Sequence, residues 1–153
     1  MEKNRIILLD LDGVLNVYCE DRDEFGCTFH PNFVDNLKYI IDETGAKIVI
    51  SSTWRFSGLV IMKEMWKKRN LPGEVIDITP HIDICKRGEE IEYWLKNNEV
   101  DSYVIIDDDN DMLENQQQNF VKTSKNVSHE DNVNNGMGLT LKCAEKAIKI
   151  LKK

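Results

Sequence analysis

Five short apolar segments, separated by stretches of helical periodicity, constrain the fold of this chain more than any other feature. They are rich in β-branched and aliphatic residues, and most do not alternate apolar with polar positions, which is typical of strands buried on both faces. The segments span residues 5–9, 46–50, 74–78, 103–106 and 120–123. Alternating strands and helices favour a parallel sheet with right-handed crossovers and helices on both faces. We therefore predict an α/β fold with three layers, formed as one domain by residues 1–153.

Four other segments carry apolar residues at the spacing of one helical face. The first predicted helix runs from about residue 31 to residue 44 and ends at Gly45, and the last spans residues 141–151. The polar stretch over residues 124–138 is rich in Asn and predicts a surface loop before the last helix. These segments supply the helical layers of the predicted fold.

The charge balance limits the classes of partner. The chain holds 27 Asp and Glu against 20 Lys and Arg, a formal net charge of −7. This charge argues against broad attraction to nucleic acid or anionic membranes, but it is compatible with a local basic groove. Its apolar runs are far shorter than the roughly 18 residues of a membrane span. The four cysteines form no CxxC pair, and we expect reduced thiols and a cytoplasmic location. The cysteines are Cys19, Cys27, Cys85 and Cys143.

Acidic residues follow two of the predicted strands directly. The first strand leads into Asp10 and Asp12, and the fourth leads into Asp107, Asp108 and Asp111. Ligands of parallel sheets bind at the carboxyl ends of strands, and several carboxylates gathered there are costly unless a cation lies among them. Carboxylate and carbonyl oxygens suit Mg²⁺. A solvated acidic loop is the alternative, but placement directly after a buried strand favours a magnesium site.

The segment DLDGVLN at residues 10–16 resembles motif one of the haloacid dehalogenase (HAD) superfamily of phosphohydrolases. Three further elements follow in the order of that superfamily. Ser51 comes after the second strand, Lys86-Arg87 precedes a helix, and the acidic run that starts at Asp107 follows the fourth strand. The resemblance extends from Arg5 to about Asp111 and implies a Rossmann-like, HAD-like domain.

The resemblance also implies a covalent phosphoryl transfer. Asp10 would be the nucleophile that forms an aspartyl-phosphate, and Asp12 would act as general acid and then as general base. Ser51 and Arg87 would donate hydrogen bonds to the transferring phosphoryl group. Lys86 remains the alternative to Arg87 as the basic residue.

The cofactor implied by the resemblance is Mg²⁺. Its ligands would be the carboxylate of Asp10, the backbone carbonyl of Asp12 and the acidic fourth motif. Asp107 is nearest the strand end and is the best direct ligand, whereas Asp108 or Asp111 would reach the ion through water. Which of these three binds the ion directly stays open.

The spacing between the motifs leaves no room for a cap domain. Members of the superfamily often carry a cap that encloses small substrates, but here residues 18–30 can form only a flap before the first helix. A capless site is open, so we expect it to admit macromolecular phosphates such as nucleic-acid ends.

The sequence SSTWR at residues 51–55 narrows the resemblance. With the other motifs, it is similar to the small HAD phosphatases associated with RNA repair proteins and, more distantly, to the phosphatase domains of polynucleotide kinase-phosphatases. Arg55 would contact a neighbouring phosphate, and Trp54 would either stack on a base or pack in the core. The predicted substrate-binding residues are Gly13, Ser52, Thr53, Trp54 and Arg55.

The sequence thus predicts a Mg²⁺-dependent phosphatase that acts on a phosphorylated substrate, with RNA or DNA termini favoured and no membrane partner. Two alternatives remain. One is a small-molecule phosphatase such as a nucleotidase, and the other is a catalytically silent phosphate- or metal-binding regulatory domain. The intact Asp10, Asp12, Ser51 and Arg87 argue against the silent domain. The oligomeric state and the preferred terminus stay open.

Overall fold

The computed structural model describes residues 2–124 and 136–153, so most of the loop predicted over residues 124–138 lies outside the described residues. In those two ranges the strands are β1 (Arg5–Leu9), β2 (Arg22–Asp23), β3 (Gly26–Cys27), β4 (Lys47–Ile50), β5 (Val75–Ile78), β6 (Ser102–Asp107) and β7 (Phe120–Lys122). The α-helices are α1 (Pro31–Thr44), α2 (Leu59–Lys68), α3 (Arg87–Lys96) and α4 (Leu141–Leu151). There are also two 3-10 turns in these ranges: Thr53–Ser57 follows β4, and Glu114–Asn119 precedes β7.

The predicted strands form one parallel sheet in the order β5-β4-β1-β6-β7. In the central strand β1, Leu9 is in register with Ile50 of β4 and with Ile106 of β6. Side chains of β1 alternate between two cores: Ile7 faces the core shared with α1, α2 and α4, whereas Leu8 faces the core shared with α3. Both faces are therefore covered, which explains the apolar strands without alternation and confirms the predicted three-layer α/β fold.

The first helix has clear end signals. The side chain of His30 accepts a hydrogen bond from the backbone N–H of Asn32, and Pro31 occupies the first turn, where its missing N–H costs nothing. Gly45 adopts a left-handed conformation with φ 68° and donates its N–H to Ile41, which ends the helix at the predicted residue. No helix in the described ranges is both long and apolar enough to cross a bilayer.

A small antiparallel hairpin, β2–β3, lies between β1 and α1, where the sequence leaves room only for a flap. The predicted capless architecture is thus confirmed over the residues that the structure describes. A disulfide between Cys19 and Cys27 closes the hairpin. The expectation of reduced thiols is therefore wrong for these two cysteines, because the hairpin brings their Cα atoms to 5.4 Å although they are eight residues apart. Cys85 and Cys143 are free, as expected.

Candidate active site

Three of the predicted site residues, Asp10, Ser51 and Asp107, lie together at the carboxyl ends of three adjacent strands. The N–H of Asp10 donates to the carbonyl of Ile106 at 3.0 Å, and the N–H of Ser51 donates to the carbonyl of Leu9 at 3.0 Å. The sheet register thus continues one residue beyond β1 and β4, so that Asp10 lies between Ser51 and Asp107. Parallel pairing alone determines this arrangement.

The side chains of Asp10, Asp107 and Asp108 form a cluster of three carboxylates that could hold a metal ion, and this cluster is called the acidic group below. One oxygen of each lies within 4.8 Å of the others, and Asp10 and Asp107 are buried. Burial, reinforced by the charge of Asp107, raises the pKa of Asp10 to about 9. Burial also raises the pKa of Asp107. These carboxylates resist ionising together, and a divalent cation among them would remove that penalty.

The donor set fits Mg²⁺ in particular. Three carboxylates supply the hard oxygen ligands that this ion prefers, and no thiol or imidazole belongs to this group. Asp111, which the sequence left as an alternative ligand, lies outside it. One Asp111 oxygen accepts from the N–H of Arg87 at 3.2 Å, at the beginning of α3. Asp108 is therefore better placed than Asp111 to join Asp107.

Arg87 brings a positive charge to the acidic group. Its Nη1 donates to Asp107 Oδ2 at 2.8 Å and lies 3.3 Å from Asp10 Oδ1. Burial opposes its charge, but the carboxylates of Asp107 and Asp10 outweigh that effect and raise the pKa of Arg87 above its ordinary value. The guanidinium stays cationic beside Asp10, whereas the Lys86 side chain is exposed at the helix start. Of the two basic residues that the sequence offered, the structure brings Arg87 to Asp10.

Asp12 is held by hydrogen bonds on both carboxylate oxygens. Asn16 Nδ2 donates to Oδ1 at 3.0 Å, and Trp54 Nε1 donates to Oδ2 at 3.0 Å. Asn16 also closes the loop, because its carbonyl accepts from the N–H of Gly13 at 2.8 Å. The side chain predicted to transfer protons is therefore fixed by donors from two different loops.

Position 13 requires a glycine for two reasons, the conformation of its backbone and the close approach of Asp108. Its φ is 83°, a value that residues with a side chain rarely adopt, and a Cβ added there would overlap the carboxylate of Asp108. The absence of a side chain lets the loop after β1 approach the loop after β6. Gly13 thus admits Asp108 to the acidic group.

The hydroxyl of Ser51 is completely buried and has no hydrogen-bond partner among the described residues. A buried polar group without a partner is uncommon in folded proteins and marks a position where a ligand can supply the bond. Thr79, which follows β5, carries a second such hydroxyl. Sequence reasoning missed Thr79, whose residue type alone gave no signal.

The structure gives Arg55 protein partners that the sequence did not predict. Its side chain is 3% exposed, and its Nη2 forms an ion pair of 2.9 Å with Glu90, a residue that sequence reasoning missed. Its other nitrogens donate to the carbonyls of Ser51, Ser52 and Thr79 at 2.9–3.0 Å. Because these donors already bind protein groups, the structure favours a structural role for Arg55, and its contact with a substrate phosphate stays a prediction. Arg55 thus connects the loop after β4 to the loop after β5 through hydrogen bonds to their backbone carbonyls.

The three residues before Arg55 also have local roles. Ser52 is buried, and its hydroxyl accepts from the N–H of Trp54 at 3.2 Å, which begins the 3-10 turn. The Trp54 ring lies against Phe29, with ring centroids 5.5 Å apart. Thr53 is exposed. Of these three, Thr53 has the side chain most accessible to a substrate, and its substrate contact stays a prediction.

A parallel sheet with buried acids at its carboxyl edge, an arginine beside them and a hairpin in place of a cap defines a capless HAD-like phosphohydrolase domain. Residues 6–131 match a family model described as the HAD domain in Swiss Army Knife RNA repair proteins. The chain belongs to this family. No curated protein gives a significant match.

Proposed function

We propose that this domain is a Mg²⁺-dependent phosphatase that removes a terminal phosphate from a nucleic-acid end through an aspartyl-phosphate on Asp10. The observation that carries the proposal is the position of Asp10, buried at the end of the central strand with Asp107 and Asp108 on one side and Arg87 at 3.3 Å. A carboxylate in such a place can act as a nucleophile once the surrounding charge is balanced.

The first step would transfer the phosphoryl group to the protein. An oxygen of Asp10 forms a bond to phosphorus while the bond from phosphorus to the leaving oxygen breaks. Asp12 gives its proton to that oxygen, so the product leaves as an alcohol. The Ser51 hydroxyl and the Arg87 guanidinium donate to the phosphoryl oxygens, where charge accumulates.

The second step would restore the enzyme. Asp12, now ionised, takes a proton from a water molecule whose oxygen forms a bond to phosphorus. The bond between phosphorus and Asp10 breaks and inorganic phosphate leaves. When bound by Asp10, Asp107 and Asp108, with the Asp12 carbonyl as a further ligand, Mg²⁺ would neutralise charge between the nucleophile and the phosphate.

Two observations support a nucleic-acid end as the substrate. The family is described by its occurrence in RNA repair proteins, and a short hairpin rather than a cap domain adjoins the site. With a net charge of −7, attraction to a polyanion must come from local cations. Lys86, exposed beside Arg87, is one such cation.

A cavity supports the small-molecule alternative. It measures about 250 Å³ and lies between the loop after β1 and the hairpin, where Asn16, Tyr18, Phe29 and His30 contribute to its lining. Asn16 contacts Asp12 directly, so the cavity adjoins the proton-transferring residue. A nucleoside attached to the phosphate could enter this cavity, as in a nucleotidase.

A phosphate-release assay with Mg²⁺ tests these functions. The substrates are 3′- and 5′-phosphorylated oligonucleotides and the matching mononucleotides, and Asp10→Asn is the inactive control. We expect a higher kcat/KM for an oligonucleotide, with a decrease at high salt. Equal or faster hydrolysis of mononucleotides would favour the nucleotidase, and phosphate release by Asp10→Asn would exclude Asp10 as the nucleophile.

A further inference from the structure

The indole of Trp54 connects the hairpin to Asp12. Its Nε1 donates to Asp12 Oδ2 at 3.0 Å, while Asn16 donates to the other oxygen at the same distance. We propose that Trp54 is a positioning residue that fixes the Asp12 carboxyl for proton transfer to the leaving group. This role rests on the proposed phosphatase function.

The position of the indole is itself strongly determined. Ser52 holds its backbone N–H, and the ring contacts Phe29 on the hairpin side. The guanidinium of Arg69 lies 5.6 Å from the ring centroid. At Gly26, an added Cβ would lie 3.5 Å from the indole ring. Contacts from the 3-10 turn, from Arg69 at the end of α2 and from the hairpin side thus restrict rotation of the ring, so its N–H is directed at Asp12.

The two hydrogen bonds leave Asp12 able to transfer a proton. A carboxylate offers about four lone-pair positions, and the N–H groups of Trp54 and Asn16 occupy two of them. The remaining positions can hold the proton or face the leaving oxygen and the attacking water. What the donors restrict is rotation of the carboxyl plane. A small misplacement of a catalytic group can cost about 100-fold in rate.

This role makes a prediction about the leaving group. A nucleotide releases an alkoxide-type oxygen that needs a proton, whereas p-nitrophenyl phosphate releases a stable phenolate that needs none. The ratio kcat/KM reports the steps up to the first irreversible one, here the transfer to Asp10. Loss of Asp12 positioning should therefore lower kcat/KM for a phosphorylated nucleoside much more than for p-nitrophenyl phosphate.

The test uses Trp54→Phe, which keeps an aromatic ring and removes the N–H. We expect kcat/KM to fall by about 10–100-fold on the phosphorylated nucleoside and to change little on p-nitrophenyl phosphate. Trp94→Phe is the matched control, because Trp94 Nε1 also donates to an aspartate, Asp77, at 2.7 Å. It removes the same kind of bond away from the acidic group and should leave both ratios unchanged.

Each outcome decides the proposal. Equal losses on both substrates, or no loss, would overturn the role of Trp54. If the wild-type chain releases phosphate neither from these two substrates nor from a phosphorylated oligonucleotide, the proposed function fails and the role of Trp54 falls with it. Should Trp54→Phe not fold, 3-benzothienylalanine at position 54 replaces the N–H with sulfur and keeps the fused rings, and the same selective loss is expected.

Discussion

Arg55 and Glu90 form an ion pair of 2.9 Å in which both side chains are almost completely buried. The remaining donors of Arg55 bind backbone carbonyls, and the second oxygen of Glu90 accepts from the N–H of Ile82 at 2.9 Å. Burial lowers the pKa of Arg55, and Glu90 opposes that shift. A buried pair satisfied in this way contributes mainly to structure, because neither charge is free to meet a ligand.

Breaking this pair should destabilise the fold. Arg55→Met leaves Glu90 buried without its partner, and we expect a loss of about 3–5 kcal/mol in the free energy of unfolding, measured by urea denaturation. Lys38→Met breaks the exposed pair with Asp42 and should cost less than about 1 kcal/mol. A raised KM with unchanged stability in Arg55→Met would instead restore Arg55 as a substrate contact.

Mg²⁺ should stabilise the protein as well as activate it. At a concentration 100 times its Kd, a ligand of the native state adds about 2.7 kcal/mol, which corresponds to a rise in Tm of roughly 5–10 °C for a chain of this size. Asp108→Asn should reduce the rise, and EDTA should abolish phosphate release. Asp109 is exposed and outside the acidic group, so Asp109→Asn should behave as wild type in calorimetry.

The disulfide should stabilise the hairpin locally. Cross-linking residues eight apart removes loop entropy worth roughly 2.5 kcal/mol in the chain-entropy account. Cys19→Ser should therefore speed hydrogen exchange over residues 18–30, read by mass spectrometry, with little change in the central strands. Cys143→Ser alters a free thiol and serves as the control. Unchanged exchange in Cys19→Ser would mean that other contacts hold the hairpin alone.

Acid should weaken the same hairpin through Asp23. Its hydrogen bonds from Arg69, at 2.8 and 2.6 Å, lower the pKa of Asp23 to about 2. A lowered carboxyl pKa gives stability that is complete above the unfolded value, roughly 3.9, and is lost as the pH falls towards 2. Between pH 5 and pH 3, wild type should lose more of its urea midpoint than Asp23→Asn. Asp21→Asn, at another exposed acid of the hairpin, should keep the wild-type dependence.

The sequence predicted the sheet well for a physical reason. Strands buried on both faces leave a continuous apolar signal, and β1 spans the predicted residues 5–9 without an error at either end. Parallel pairing then brings strand ends together, which is why Asp10, Ser51 and Asp107 could be expected at one edge before their distances were known.

Contacts between side chains distant in the chain were not predictable in the same way. Nothing in the local pattern around Arg55 shows that Glu90, on the first turn of α3, lies 2.9 Å away. The pairing of Cys19 with Cys27 depends on a hairpin of two-residue strands, too short to leave a periodic signal. The Trp54 bond to Asp12 likewise depends on how two loops pack.

The central place of β1 has a consequence during synthesis. Leu9 pairs with Ile50 of β4 and with Ile106 of β6. The edge of β1 that pairs with β6 therefore stays unpaired until the ribosome has added β6, about 5–20 s later at typical elongation rates. Until then this apolar edge can pair with other chains. A nascent chain stalled before Ser102 should be cleaved readily by protease, whereas release of β6 from the exit tunnel should bring resistance.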